Sequence, residues 1–338
     1  MARLRWATML LGALVLPAAA QAADYRIIDR IKVADGGFDY ATFDPQTGHV
    51  YMPRGRFTTV IDTRTGQASQ LNSAPGDHIA LPVPSTGLLA VTHSAGGILL
   101  VDAARDTVVA KLESAKNPNS AVYDPVSRQV VVMNKESGLA SLVDPRRRRV
   151  TGTIPITTPE NTLEFPVTDG KGLVFDNLEK SAEIAVIDLS RRKVLRTYRL
   201  QGCEDPKGLA YVAKSGLLVS ACANSVVKVL RARDGAEVAS LAIGKGQDAV
   251  IYDPVRDLAF VPCGQDGALY VISLADPKKI SVVQRLETAQ GSRTGTVDPS
   301  TGRLYLMSSK PDLSAPVPAN GRIPRLPGSW EVLVIAPG

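Results

Sequence analysis

"YDPVSRQVVVM", residues 123–133, decides the fold. Asp124 can hydrogen-bond the amides that follow it, and Pro125 fixes φ at the value a tight turn needs in its second position. The VVVM run beyond is β-branched, too short for an ordinary helix, and reads as a buried strand. Six further segments repeat this turn between two short apolar runs: FDPQTGHVYM (43–52), VPSTGLLAVT (83–92), TDGKGLVFD (168–176), VAKSGLLVSA (212–221), YDPVRDLAFV (252–261) and VDPSTGRLYLM (297–307). With Pro45, Pro84, Pro125, Asp169, Ala213, Pro254 and Pro299 as markers, the spacings are 39, 41, 44, 44, 41 and 45 residues. A third apolar run follows most markers, as in TTVIDTRTG (58–66) and AVIDLSRRK (185–193), and then a fourth, as in VVAKLES (108–114). Each repeat therefore reads as four strands, a to d, and helical periodicity is nearly absent.

Four short strands in about forty residues is the pattern of a β-propeller blade. A solenoid of the same period would need polar caps at its ends. Here the last repeat supplies only three strands, in GTVDPS (295–300), GRLYLMSS (302–309) and WEVLVIAP (330–337), while YRIIDRIKV (25–33) lies unassigned near the start. The expected fold is all-β, a seven-bladed propeller of four-stranded blades closed by the N-terminal strand. Although 338 residues would ordinarily suggest two domains, the repeats make 23–338 a single domain.

Residues 1–22, MARLRWATMLLGALVLPAAAQA, have a basic start, a short apolar run and a small-residue end at Ala20 and Ala22. This is the pattern of a cleaved secretory signal peptide, so a periplasmic protein is expected. No later stretch is long enough to cross a bilayer as a helix. The net charge of +6 includes two leader arginines and is too mild to imply a nucleic-acid partner by itself.

The DP-turn pattern resembles the YVTN or YncE-like group of exported seven-bladed propellers. GCEDPKGLAYVAKSGLLVSAC (202–222), GQDAVIYDPVRDLAFV (246–261) and GSRTGTVDPSTGRLYL (291–306) are the most similar segments. The resemblance implies the propeller fold, and a monomer is expected. It leaves function open, because such propellers include binding proteins as well as lactonases and lyases.

In a propeller, strand a begins and strand b ends on the face where the central channel opens. Counting from the markers, the residues meeting at that mouth are expected to be Asp39 with Arg54, His78 with His93, Asn119 with Asn134, Leu163 with Leu178, Lys207 with Cys222, Asp248 with Cys263, and Arg293 with Ser308. Blade 4 alone breaks the polar ring. Asp39, Arg54, His78, His93, Asn119, Lys207, Asp248 and Arg293 are thus the candidate binding residues for a small polar ligand or a partner protein, with Lys207 and Arg293 suited to a carboxylate or phosphate. Solvated strand ends are polar in any case, which is the competing account. No nucleophile elbow, phosphate loop or dinucleotide fingerprint is present, and no cofactor is expected. A divalent metal held by His78, His93 and Asp39 would be the exception, and their spacing matches no metal motif. A hydrolase or lyase such as a lactonase is the alternative function, with His78 and a neighbouring aspartate its only acid–base candidates.

On the opposite face, Arg146 to Arg149 and Arg191, Arg192 and Lys193 fall in c–d turns of adjacent blades. A solvated basic surface is expected there, with anionic lipid or single-stranded nucleic acid as alternatives that lack aromatic platforms to support them. A proline-rich insertion, 309–329, separates strands b and c of blade 7 and is expected on the mouth face. Finally, Cys203 and Cys222 lie at the mouth end of one a–b hairpin, so a disulfide between them is expected in an oxidising compartment. A Cys222–Cys263 bridge between blades is the rival.

Overall fold

The computed structural model describes residues 24–94, 97–316 and 323–338. The leader 1–22 lies outside them. Seven four-stranded antiparallel sheets form the chain, and six of them take their strands in consecutive order from Thr42 to Glu287. The seventh is built from Gly295–Asp298, Arg303–Ser308, Glu331–Pro337 and, at its outer edge, Tyr25–Lys32. Tyr25 faces Pro337 and Lys32 faces Glu331, so the N-terminal strand closes the ring and leaves no open end.

The turns form for the reason the sequence suggests. Asp44, Asp253 and Asp298 each accept a hydrogen bond from the amide two residues on, at 2.8–2.9 Å, which holds the first residues of the turn. Asp169 does the same for Lys171 at 2.7 Å. Asp169 is therefore the first residue of its turn, equivalent to Asp44 and not to Pro45. The turn is one residue shorter than those of Asp44 and Asp298, so counts along strand a of blade 4 move by one residue while those along strand b do not.

Seven apolar clusters, one in each gap between consecutive blades, make up the core among the described residues. That between blades 7 and 1, for example, joins Val50, Met52 and Ile61 to Tyr305, Met307 and Val332. Around the channel, side chains of one blade bond backbone carbonyls of the next. Thr42 donates to Ala80 (2.6 Å), Thr92 to Asn119 (2.6 Å), Asn177 to Lys207 (2.9 Å) and Thr294 to Asp39 (2.5 Å). Blades 5 and 6 approach so closely that a Cβ on Gly208 would lie 2.4 Å from the Ala249 carbonyl carbon. Only glycine fits there.

Cys203 and Cys222 form the expected disulfide, with Cα atoms 5.4 Å apart, and Cys263 is a buried free thiol. The rival bridge between blades 5 and 6 is excluded, because both sulfurs of the first pair are taken within blade 5.

Candidate functional site

The mouth is built on a register slip. Strand a of blades 3 and 5 carries an extra residue near its start, so Asn134 faces Pro118 and Cys222 faces Pro206. In blade 6 the residue opposite Cys263 is Gln247. The expected partners Asn119, Lys207 and Asp248 are each the next residue along. An irregularity of this kind re-aims the side chain beside it. Leu163 does face Leu178, so Leu178 keeps the place of Asn134, Cys222 and Cys263, while Glu164, the next residue along strand a, takes that of Asn119, Lys207 and Asp248. Blade 4 therefore does not interrupt the ring: it contributes the Glu164 carboxyl on strand a, and Glu179 follows directly after Leu178 on strand b.

These residues form two charged networks. In the first, His78 Nδ1 lies 2.8 Å from Asp39 Oδ2, and Arg293 Nε donates to Asp248 Oδ2 at 2.8 Å. Burial raises the Asp39 carboxyl above the usual carboxylate range, and the Asp248 charge from blade 6 adds to it. In the second, Glu164 meets the ammonium of Lys135 directly and that of Lys207 at 3.8 Å, while Glu179 lies 3.4 Å from Lys207 and 3.6 Å from Lys135. Glu164 is 2 % exposed, and burial pushes its carboxyl up to about 8 in spite of both lysines. Glu179 goes the other way. Against the opposing effect of its own burial, hydrogen bonds from Glu164 and Thr162 and the two lysine charges hold it well below the usual range. One carboxyl of the pair keeps its proton and the other does not.

Tyr40 joins the two networks on the channel axis. Its hydroxyl donates to Glu164 Oε2 at 3.5 Å, and its pKa is driven up by burial and then by Glu164, Asp248, Asp39 and Asp176. Carboxylates of blades 1, 4 and 6 thus surround a single phenol.

Above this floor lies a cleft of about 740 Å³, lined by Phe38, Gln247, Asp248, Arg293, Arg325 and Trp330 among others. Arg325 and Trp330 come from the end of the proline-rich insertion and the residue following it. The described parts of the insertion fold back on themselves, with Asp312 donating to the Pro324 carbonyl (2.8 Å) and Leu326 to that of Lys310 (3.0 Å). Arg293 stacks on Phe38 at 4.6 Å, and Phe38 meets Trp330 edge-on at 5.7 Å. Gln247 is 3 % exposed, and neither atom of its amide has a hydrogen-bond partner among the described residues. Leaving a buried donor and acceptor unpaired costs about 1–3 kcal/mol. Among the described residues Arg325 bonds only carbonyls, those of Gln290 (3.1 Å) and Ser309 (3.3 Å), and its pKa is lowered by burial and by the Arg293 charge.

Other candidates sit differently. Arg54 is 2 % exposed and spends its guanidinium on the Gly37 carbonyl (2.5 Å) and the Trp330 ring (4.6 Å), supporting the cleft from below. His93 lies 3.5 Å from Asp77, not beside Asp39. Asn119 has a buried side-chain oxygen with no partner among the described residues, and Asn134 is locked to Leu139 and Ser141 within blade 3. Among the described residues no three His, Cys, Asp or Glu side chains converge on a metal-binding geometry. His78, His93 and Asp39 are not brought together. Of the residues in these networks, Tyr40, Lys135, Glu164 and Glu179 were missed from sequence, as was Arg325 of the cleft.

No family model and no curated protein matches the chain. Solved structures do match it. A chain of a structure titled "Crystal Structure of Mitotic Checkpoint Complex" aligns with a TM-score of 0.72 at 12% identity, covering 99% of this chain and 98% of that one. A chain of Kuenenia stuttgartiensis hydrazine synthase aligns with a TM-score of 0.70 at 12% identity, covering 82% and 94%. At that identity the likeness is one of fold alone, and it agrees with the seven-bladed propeller.

Proposed function

We propose that this protein is an exported binding propeller that holds a small organic anion in the mouth cleft. The observation that carries the reading is the pairing of Arg293 with Arg325 over the unpartnered amide of Gln247. Arg293 is paired with Asp248, Arg325 has no carboxylate partner among the described residues, and an anionic group on a ligand would relieve the repulsion between the two guanidinium groups. Gln247 would supply a donor and an acceptor to the rest of the ligand, and Phe38 and Trp330 an apolar wall. Small-molecule sites are concave clefts of this size with a few convergent polar groups. The Cys203–Cys222 disulfide supports an oxidising compartment, as the leader pattern does. Membership of the YVTN/YncE-like group rests on the repeat motifs alone.

Calorimetry with a panel of small mono- and dicarboxylates tests the reading. Binding is expected for the wild type, at least tenfold weaker binding for Arg325→Ala, and none for the Lys207→Ala, Arg293→Ala double variant, with unchanged circular dichroism. Wild-type affinity in the double variant would remove the mouth as the site.

A second reading is hydrolysis or elimination on the bound ligand. The His78–Asp39 pair and a Glu164 carboxyl titrating near neutrality are an acid–base set of the type such chemistry uses. Turnover of a lactone panel that is lost in His78→Gln is the measurement that would favour it.

A further inference from the structure

The underside carries a second concavity, of about 810 Å³, half of whose lining residues are arginine. Three separate turns build it: the a–b turn of blade 3 gives Arg128, the c–d turn of blade 3 gives Arg146, Arg147 and Arg149, and the c–d turn of blade 4 gives Arg192. Two of the local acids are already committed, Asp144 to Arg147 at 2.9 Å and Asp188 to Arg191 at 2.8 Å. A third, Asp124, is buried and held by the Ser127 amide and the Thr168 hydroxyl. Among the described residues Arg128, Arg146, Arg149 and Arg192 have no carboxylate partner.

The backbone gives an independent indication. Arg128 (φ 57°), Arg148 (φ 52°) and Arg192 (φ 52°) occupy left-handed positions that strain any residue with a Cβ. Most of the corresponding places in other turns are held by glycine, as at Gly48, Gly66, Gly216, Gly235 and Gly302, and two by aspartate, Asp106 and Asp257. Turn geometry therefore disfavours arginine at three neighbouring points, and so does mutual repulsion. Room has also been made for one of them. A Cβ on Gly152 would come within 2.8 Å of the Arg192 guanidinium, which reaches from blade 4 against the outer strand of blade 3. A solvated basic face, the expectation from sequence, would need neither the strained positions nor the shared hollow.

We propose that this hollow is a binding site for a multiply charged phosphate anion, an oligophosphate or a compact phosphate ester. Guanidinium groups bind phosphate oxygens in pairs, and four unpaired ones around one concavity suit several phosphoryl groups close together. The lining residues include no aromatic ring on which a nucleobase could stack. The site lies on the face opposite the mouth cleft and does not depend on the reading given for it.

The test uses inorganic tripolyphosphate, titrated calorimetrically into the full chain at about 50 mM salt. One-to-one binding is expected. The Arg128→Gly, Arg192→Gly variant should weaken it at least tenfold and should melt at a higher temperature than the wild type, because strain and repulsion are both removed. Arg64→Ala, Arg105→Ala, which takes away two turn arginines already paired with Asp62 and Asp102, should bind as the wild type does. Equal losses in the two variants would mean a diffuse field and overturn the site, as would absence of binding. A lower melting temperature for the glycine variant would show that the arginines serve the fold. Phosphatidylglycerol vesicles form the second arm: binding to them without binding of tripolyphosphate would replace the pocket by a membrane-docking surface.

Discussion

Glu164→Gln should make the protein more stable in a strongly pH-dependent way. The folded-state carboxyl titrates at about 8, against 4.5 for an unperturbed glutamate, because its burial outweighs the attraction of Lys135 and Lys207. A carboxyl with a raised folded-state pKa contributes most below its unfolded value, and the contribution is lost as pH rises through the folded one. The window is therefore about pH 4.5 to 8. Across it the wild type gives up as much as about 5 kcal/mol, at 1.36 kcal/mol per pKa unit, and water entering around the ionised group would reduce this towards about 2 kcal/mol. Glutamine copies the neutral carboxyl in shape and can still accept from Lys135 and Tyr40, but it does not ionise. The two proteins should be equally stable near pH 4, diverge through the window, and stay a constant distance apart above pH 8. A chain of this length gains about 0.7 kcal/mol per kelvin in unfolding entropy, so the gap corresponds to about 3–7 °C in Tm. Differential scanning calorimetry at half-unit pH steps measures it. A Tm difference that is flat between pH 5 and 9, or a variant that falls behind as pH rises, would refute the protonated Glu164.

Closure by the N-terminal strand is tested by a chain beginning at Ala34. It loses the pairing of Tyr25–Lys32 with Glu331–Pro337, exposes that strand as an edge, and should aggregate on size exclusion and melt well below the full protein. The disulfide closes a loop of about 20 residues, so Cys203→Ser, Cys222→Ser should cost about 3 kcal/mol in urea unfolding, and dithiothreitol should cost the wild type the same. Because burial drives the Cys263 thiol up to about 12, Ellman's reagent should find no thiol in the native protein and one after denaturation.

How much of this was legible in the sequence depends on whether the deciding interaction is local. The DP turns, the strand alternation and the missing fourth strand of the last repeat are local or countable features, and the blade number and the closure followed from them. The disulfide was readable because one hairpin brings both cysteines to the mouth end of blade 5. Counting failed where it depended on a single residue. TDGKG offers no proline, and with Asp169 taken for the second turn residue, Leu163 filled the place of Glu164. The signal was nonetheless there: an Asp at the first turn position with glycine three residues on, as in Asp44–Gly48 and Asp298–Gly302 one residue longer. Arg325 carried no such signal, since its position follows from how the insertion folds across the mouth. The burial of Arg54 under Trp330 depends on the same insertion.

The two faces use their charge in opposite ways, and that difference bears on which of them is tuned for a ligand's shape and which for its charge. At the mouth most ionisable groups have a partner: Asp39 with His78, Asp248 with Arg293, and the Glu164 carboxyl and Glu179 carboxylate with Lys135 and Lys207. Partly buried pairs are little affected by salt, so a ligand there must exchange one set of hydrogen bonds for another, and selection falls on geometry. Arg54 and Arg325, which bond carbonyls, stand outside this balance, and Arg325 arrives on the insertion. On the underside the arginines are exposed and mostly unpaired, and the field they create is screened within about 8 Å at physiological salt. A ligand held there must bring its charge into the hollow itself. A compact polyanion does this, and a monocarboxylate, which satisfies one guanidinium at most, does not.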